Sequence, residues 1–186
     1  MDNAEATAII LDYLPHGRTS DDRPRYEQVP LAQALGVDDF RLYELVLEDE
    51  HDISIGDEVG VRPVSPPVAE FRELTHDDLS SGAAAELAYV IEDIIDQDEA
   101  RFVRVYNEAQ PLTLRLHQLN LLPGIGEKLR DDIIEERRRK PFESLDEVDE
   151  RISGLHNPRG VLVDRIREEL ETPDLKYYLF VGGGPF

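Results

Sequence analysis

The chain has 186 residues, of which 40% are hydrophobic, and its 41 acidic and 20 basic residues give a formal net charge of −21. This apolar content excludes global disorder, and the length suffices for one ordinary domain or two small ones. The absence of cysteine excludes disulfides, thiolate metal sites and cysteine nucleophiles. Because no signal segment and no bilayer-length apolar run is found, we expect a cytoplasmic protein with no membrane partner.

The acidic charge is concentrated in the first part of the chain. Residues 1–110 carry 26 acidic and 8 basic residues, whereas residues 111–186 carry 15 and 12. A high content of acidic residues with only three lysines indicates either a surface for a basic partner or adaptation to a cytosol with molar salt. We favour salt adaptation, because the acid is spread over most of the chain. The weaker acidification of residues 111–186 indicates that their surface meets something negative.

Residues 4–64 have the pattern of several short strands. The segments 6–14 and 40–49 read as strands, the second by its alternation of apolar and polar residues, and 53–63 reads as strand, glycine turn and strand. Residues 30–36 favour a short helix between them. Short strands must hide their edges, which predicts a small closed β-barrel as the first domain.

The predicted barrel domain covers residues 1–66. Its "SIGDEVGV" segment resembles the turn and strand of oligonucleotide/oligosaccharide-binding (OB) and S1-type barrels. The proline-rich segment "PVSPPV" at 63–68 predicts a linker to the next domain.

Residues 69–186 are predicted to form a helical domain with a C-terminal strand, so that the fold class is α+β. Ser144 and the pair Asn157-Pro158 are helix-start signals, and Pro141 is a stop signal. The run "KYYLFV" at 176–181 reads as a strand, and the glycine-rich tail after it is predicted to be flexible. The predicted helices are 80–97, 99–109, 111–119, 126–140, 145–152 and 159–170.

A glycine hairpin stands at the centre of the helical domain, in "LNLLPGIGEKLRDDIIEERRRKPF". Gly124 and Gly126 permit positive φ and let another molecule approach the backbone closely. Pro123 presets the turn, and Ile125 anchors it between helices. The first amides of the following helix have no intrahelical partner and lie at the positive end of its dipole. The stretch therefore predicts a phosphate site that Lys128, one turn into the helix, can reach.

The same helix ends in the basic run Arg137, Arg138, Arg139 and Lys140. Cations that complement a helix dipole explain one or two such charges, but not four in a chain that avoids basic residues. We therefore predict that this run, together with Arg130, contacts a nucleic-acid backbone.

This stretch resembles the helix-hairpin-helix (HhH) motif of non-sequence-specific nucleic-acid-binding proteins. The match holds from Leu119 to Ile134 but departs at Arg130, where the motif has a small alanine. Residues 140–166 resemble the second hairpin of a tandem HhH unit, with Gly154 kept and His156 in place of the second glycine. The resemblance implies phosphate binding by the hairpin amides, with a monovalent cation on the hairpin carbonyls.

Over nearly its whole length the chain resembles the archaeal DUF655 family. The likeness is densest from "AYVIEDII" to "YYLFV" and includes "RLHQLNLLPGIG", "EERRRKPFES" and "GLHNP". The family is labelled a candidate RNA-binding family with an OB-like barrel before an HhH region. This label implies RNA as the ligand in preference to DNA.

These observations predict a non-catalytic nucleic-acid-binding protein with no cofactor, no metal and no small-molecule substrate. One alternative is a protein–protein adaptor whose acidic barrel meets a ribosomal or transcription protein. Another is a DNA glycosylase/AP lyase with Lys128 as nucleophile and Asp146 as its aspartate. Against that alternative, the glycine/proline-rich loop of such enzymes is missing and the chain is too short for their second lobe.

Aromatic residues of the helical domain are candidates for base stacking, but we predict that they pack in the core instead. They are Phe102, Tyr106, Tyr177 and Tyr178.

Overall fold

The computed structural model describes residues 5–18 and 20–186. Residues 1–4 and Thr19, which belong to the predicted barrel domain, lie outside the described residues. The chain forms two compact units that divide between Val90 and Ile91.

The first unit contains an antiparallel sheet that curls into a half-barrel, with strand order β4-β1-β2-β3-β5. In β1 the pairing register shifts between Ile10 and Asp12, and a bulge of this kind bends a strand and increases its twist. The strands are β1 (Ala6–Leu14), β2 (Leu31–Gly36), β3 (Leu42–Leu47), β4 (Glu58–Arg62) and β5 (Val68–Leu74).

Residues 30–36, for which a short helix was the prediction, contain strand β2 instead. The segment pairs on both sides, with β1 and with β3. Its small alanines stand opposite large residues of β3, since Ala32 pairs with Leu45 and Ala34 with Tyr43, and all four are buried in one core cluster. Tertiary packing therefore overrides the helical propensity of alanine and leucine.

The sheet extends beyond the predicted domain boundary at residue 66. Strand β5 pairs with β3 along its length, so the sheet is complete only at Leu74. The proline-rich segment 63–68 is a tight connection within the sheet, where Val61 pairs with Val64 and the Val68 amide bonds the Ser65 carbonyl. In the predicted strand–turn–strand at 53–63, the glycine turn and the second strand are present, and the first strand is not.

The second unit is helical, and α1 (Ser81–Gln97) runs into it from the first unit. Its other helices are α2 (Glu99–Glu108), α3 (Glu127–Arg139), α4 (Leu145–Arg151) and α5 (Pro158–Glu171), with a 3-10 helix at Gln118–Leu121. Five of the six predicted helices are confirmed. The start signals act as expected, because Ser144 accepts from the Glu147 amide and Asn157 from the Gly160 amide.

The predicted helix at 111–119 is absent, and residues 110–117 form a loop. The Thr113 hydroxyl accepts hydrogen bonds from the amides of Arg115 and Leu116, at 3.2 and 2.9 Å. Pro111 and His117 form a bridge that closes the loop. Local side-chain bonding of this kind gives the backbone an alternative to the helix.

The predicted C-terminal strand at 176–181 is also absent. The Glu169 carboxylate on α5 accepts hydrogen bonds from three consecutive amides, those of Leu179, Phe180 and Val181, at 2.6 to 3.1 Å. These amides therefore have no strand partner. The tail is also less free than predicted, because Phe186 is buried and its amide bonds the Leu179 carbonyl.

Glu169 is fully buried and also pairs with Arg165 at 2.9 Å. We expect Glu169→Ala to lower the free energy of unfolding by about 3–5 kcal/mol, because it removes the buried carboxylate partner of Arg165 and leaves three amides unpaired. Glu168→Ala is the matched control: Glu168 pairs with the same arginine but is half exposed, so its removal should cost about 1 kcal/mol or less. Urea denaturation of both variants measures the difference, and equal losses would contradict this role of Glu169.

Candidate nucleic-acid interface

The hairpin at Leu122–Gly126 is held by two buried apolar residues. The side chains of Leu122 and Ile125 are buried, whereas Pro123, Gly124 and Gly126 are exposed. The Ile125 amide donates to the Leu122 carbonyl at 3.2 Å, which closes the turn. Gly124 has φ +80°, a conformation that favours glycine.

The N-terminus of α3 behind this hairpin is open. Gly126 is the N-cap residue, and the first helical hydrogen bond runs from the Arg130 amide to the Gly126 carbonyl at 3.0 Å. Within the described part of the chain, no acceptor bonds the amides of Glu127, Lys128 and Leu129, which precede it. A β-carbon added at Gly124 or Gly126 would meet no atom within 4 Å. The space beside both glycines is therefore open.

Asn120 fastens the hairpin to the segments before and after it. Its amide nitrogen donates to the Ile125 carbonyl at 3.3 Å. Its oxygen accepts from the His117 amide at 3.0 Å and from Arg130 at 3.4 Å. The polar Asn120 thus fixes the backbone of the hairpin, and capping of the 3-10 helix by His117 and Asn120 was not among the sequence predictions.

A second hairpin, between α4 and α5, repeats the first backbone turn. Ile152 and Leu155 are buried, and the Leu155 amide donates to the Ile152 carbonyl at 3.3 Å. Gly154 has φ +91° and occupies the place of Gly124. The two turns therefore share an apolar-X-Gly-apolar pattern with the same internal hydrogen bond.

The helix after the second hairpin begins with a partly capped N-terminus. The Asn157 side chain accepts from the Gly160 amide at 3.0 Å, and Pro158 at the first helical position has no N–H group. At the first hairpin neither device is present, because Gly126 has no side chain and Glu127 keeps its amide. Free donors at a helix N-terminus are the groups that can bind an anion, and the first hairpin keeps more of them than the second.

The two predicted cations nearest the hairpin are both ion-paired. Lys128 is exposed and pairs with Asp132 one turn further along α3, at 2.7 Å. Arg130 is largely buried and pairs with Asp131 at 3.0 Å. Lys128 is on the surface near the free amides, whereas Arg130 is a structural neighbour of Asn120.

The four residues of the basic run differ in their surroundings. Arg137 is half-buried and donates to the carbonyls of Tyr106 and Ala109, at 3.2 and 2.9 Å, so it caps the C-terminus of α2. Burial is also the main reason that its pKa is lowered. Arg139 pairs with Glu136, and Lys140 lies 3.7 Å from Glu143. Arg138 is exposed, and no ion pair is found for it in the described chain.

The basic run and the hairpin lie at opposite ends of α3. At a rise of 1.5 Å per residue, Arg138 is about 18 Å from Gly126 along the helix axis. The structure therefore brings Pro123, Gly124, Ile125, Gly126 and Lys128 together, and it does not bring the basic run to them.

Arg151 on α4 is a structural cation that the sequence prediction missed. Its guanidinium donates to the carbonyls of Glu136 and Lys140, at 2.7 and 2.8 Å, and lies 4.4 Å from the centre of the Phe142 ring. It thereby caps the C-terminus of α3. Its position on α4 after the "PFES" turn was a signal of this, since α4 must fold back on the end of α3.

Other candidate groups have structural surroundings. Phe102 and Tyr106 are buried, as predicted, and the Tyr106 hydroxyl donates to the Pro158 carbonyl at 2.7 Å. Burial raises the pKa of Tyr106. Asp146 is exposed in the first turn of α4. Across residues 5–18 and 20–186, no group of three histidine, aspartate or glutamate side chains is arranged to hold a metal, and no helix is long and apolar enough to span a membrane.

Comparison with known proteins defines the family. Residues 4–182 match the family described as protein of unknown function (DUF655), so the chain belongs to the DUF655 family. An uncharacterized protein of Methanocaldococcus jannaschii, MJ0038, is 40% identical over 182 residues, which are 95% of this chain and 80% of that protein. The crystal structure of Af1531 from Archaeoglobus fulgidus, a DUF655 protein, superposes with a TM-score of 0.89 at 39% identity and covers 96% of this chain and 100% of that one.

The surroundings of His117 should make the stability of the second unit depend on pH. Burial, and then the positive charges of Arg137 and Arg130, lower the pKa of His117 from its usual 6.5. The folded state thus favours the neutral ring, whose Nδ1 accepts from the Leu119 amide at 3.1 Å. This contribution is complete above the unfolded pKa of 6.5 and is lost as the pH falls through the lowered folded pKa.

We expect His117→Asn, which keeps a capping acceptor but does not titrate, to reduce the loss of unfolding free energy between about pH 7.5 and about pH 5.5. Urea denaturation at both pH values measures it. The exposed His156→Asn is the control and should leave the pH dependence as in the wild type. An unchanged pH dependence in His117→Asn would rule out this contribution.

Proposed function

We propose that this protein is a non-catalytic nucleic-acid-binding protein, with RNA favoured over DNA, that holds a backbone phosphate on the free amides at the N-terminus of α3. The observation that carries the proposal is the uncapped N-terminus of α3 at Gly126, where three amides have no acceptor in the described chain and the space beside the glycine is open. In this interpretation the two hairpins form a tandem HhH unit, and the curled sheet is an OB-like module.

The two glycines favour a ligand site over an ordinary helix–helix turn. Gly124 is required by its positive φ. Gly126 has φ −89°, which any residue adopts, and an added β-carbon there would meet nothing. Since neither the backbone nor packing requires glycine at 126, we infer that it leaves room for an approaching oxyanion.

Binding through main-chain amides suits an acidic chain. Affinity that rests on many lysine–phosphate contacts falls steeply with salt, because it comes from counterion release. At about 1 M salt the Debye length is roughly 3 Å, so only short-range contacts remain effective. Amide-to-phosphate hydrogen bonds act at that range, and the hairpin therefore fits a protein adapted to a salt-rich cytosol.

The surroundings of Lys128 support binding without catalysis. A nucleophilic lysine is activated by desolvation or by a second cation, but Lys128 is exposed and paired with Asp132. Asp146, its proposed partner in a lyase, is on a different helix and exposed. Borohydride trapping on abasic DNA tests this point, and a trapped adduct at Lys128 would favour the lyase.

The decisive variant is Gly126→Asp. Aspartate is a preferred N-cap residue, so the variant should retain or slightly raise stability. Its carboxylate would accept from the free amides and repel a phosphate. We expect the affinity for single-stranded RNA, duplex RNA and duplex DNA in molar KCl to fall about tenfold to a hundredfold. Filter binding measures affinity, and thermal denaturation measures stability.

Asn157→Asp is the matched control. It makes the same change in charge at the N-cap of the other hairpin, where a side chain already caps the helix, and should leave affinity unchanged. If both variants bind as the wild type does, the hairpin is a scaffold. That result favours the adaptor hypothesis, in which the acidic first part of the chain meets a basic ribosomal or transcription protein.

A further inference from the structure

The loop at residues 110–117 presents one apolar side chain to solvent. Leu114 at its tip is fully exposed, and beyond Val90 it is the one exposed large apolar side chain of the described chain. Burying a leucine side chain is favourable, so an exposed leucine at a tip is a candidate contact for a ligand. A single exposed leucine is common on protein surfaces, and the inference therefore needs the properties of the loop itself.

The loop is rigid because its backbone is bonded internally. The amides of Leu112 and Thr113 both donate to the Leu116 carbonyl, at 2.8 and 2.9 Å. The Thr113 hydroxyl accepts hydrogen bonds from the amides of Arg115 and Leu116, and thereby fixes the tip. The Gln118 amide donates to the Gln110 carbonyl at 2.9 Å and closes the base. Leu114 is therefore held outward by a defined turn.

The loop is built onto the hairpin that we propose as the phosphate site. Arg137 holds the Ala109 carbonyl immediately before the loop. At its other end Asn120 accepts from the His117 amide and donates to the Ile125 carbonyl, which joins the end of the loop to the hairpin through one side chain. The loop and the hairpin are thus connected both along the chain and through the Asn120 side chain.

We infer that Leu114 is a wedge that inserts between adjacent bases of the nucleic acid whose phosphate the hairpin holds, with Arg115 on the neighbouring backbone; this inference rests on the proposed function. Apolar wedges, leucine among them, partly unstack base steps in nucleic-acid complexes. Arg115 follows Leu114 directly, is exposed, and has no ion pair within the described residues. The tip thus combines an apolar side chain with a free cation.

The composition of the tip favours a nucleic acid over a protein partner. The cores of protein interfaces are contiguous apolar patches with aromatic anchors and few charges. Here the chain neighbours of Leu114 are the polar Thr113 and the cationic Arg115, so the apolar side chain at the tip is flanked by polar and charged groups. A single leucine side chain is enough to fill the gap between two separated bases, whereas a hydrophobic groove takes several apolar side chains.

The test uses the full chain and RNA and DNA duplexes that carry an end label and an internal base analogue whose fluorescence rises on unstacking. Anisotropy of the end label measures affinity, and emission of the analogue measures insertion. We expect wild-type binding to raise the emission. Leu114→Ala should lose this rise and bind about tenfold more weakly, and Leu114→Met should restore both. Arg115→Gln should lower the salt dependence by about one phosphate contact.

Because Leu114 is exposed, Leu114→Ala is expected to melt at the wild-type temperature, which separates insertion from folding. If the wild type binds without a rise in emission, or Leu114→Ala binds and unstacks as the wild type does, the wedge is overturned while the proposed function stands. If the wild type binds neither duplex nor single-stranded RNA, both are overturned. If Gly126→Asp also loses the rise while Asn157→Asp keeps it, hairpin and wedge act on one ligand.

Discussion

The second unit depends on one buried ion pair, that of Arg165 and Glu169 on α5. The Glu169 carboxylate accepts hydrogen bonds from three amides of the C-terminal segment. The Arg165 guanidinium donates to the carbonyls of Tyr177 and Leu121, at 2.7 and 3.3 Å. Leu121 immediately precedes the hairpin. The pair therefore fixes α5, the tail and the entrance to the candidate site together, and a buried pair with every partner satisfied is strongly specific in geometry.

The two hairpins share one backbone turn but differ in the capping of the helix that follows. Both have a positive-φ glycine between buried apolar residues, and both turns are closed by the same amide-to-carbonyl bond. What differs is the residue at the helix N-cap. Asn157 fills its own helix terminus with a side-chain oxygen, whereas Gly126 leaves the α3 terminus open. The candidate function thus depends on the absence of a side chain at one position.

The sequence predicted those elements whose signals are local. Helix α3 and the hairpin before it follow from glycines, capping positions and apolar spacing within a few residues, and α4 and α5 follow from Ser144 and Asn157-Pro158. The predictions failed where a distant partner decides the conformation. Strand β2 has helical residues but two strand neighbours, and the C-terminal segment has strand residues whose amides bond a carboxylate on α5. A single sequence without contacts carries no such information.

The basic run illustrates the same limit for function. As a sequence it reads as four surface cations. In the structure Arg137 closes α2 and Arg139 and Lys140 have acidic neighbours, so that Arg138 is the one member of the run with neither a carbonyl nor an acidic partner in the described chain. Arg151, outside the run, closes α3 in the same manner. Arginine suits this task because its planar guanidinium can serve several carbonyls at once. A chain that uses several of its cations to join helices has fewer left for a ligand. In the proposed function, main-chain donors supply the contact with the anion instead.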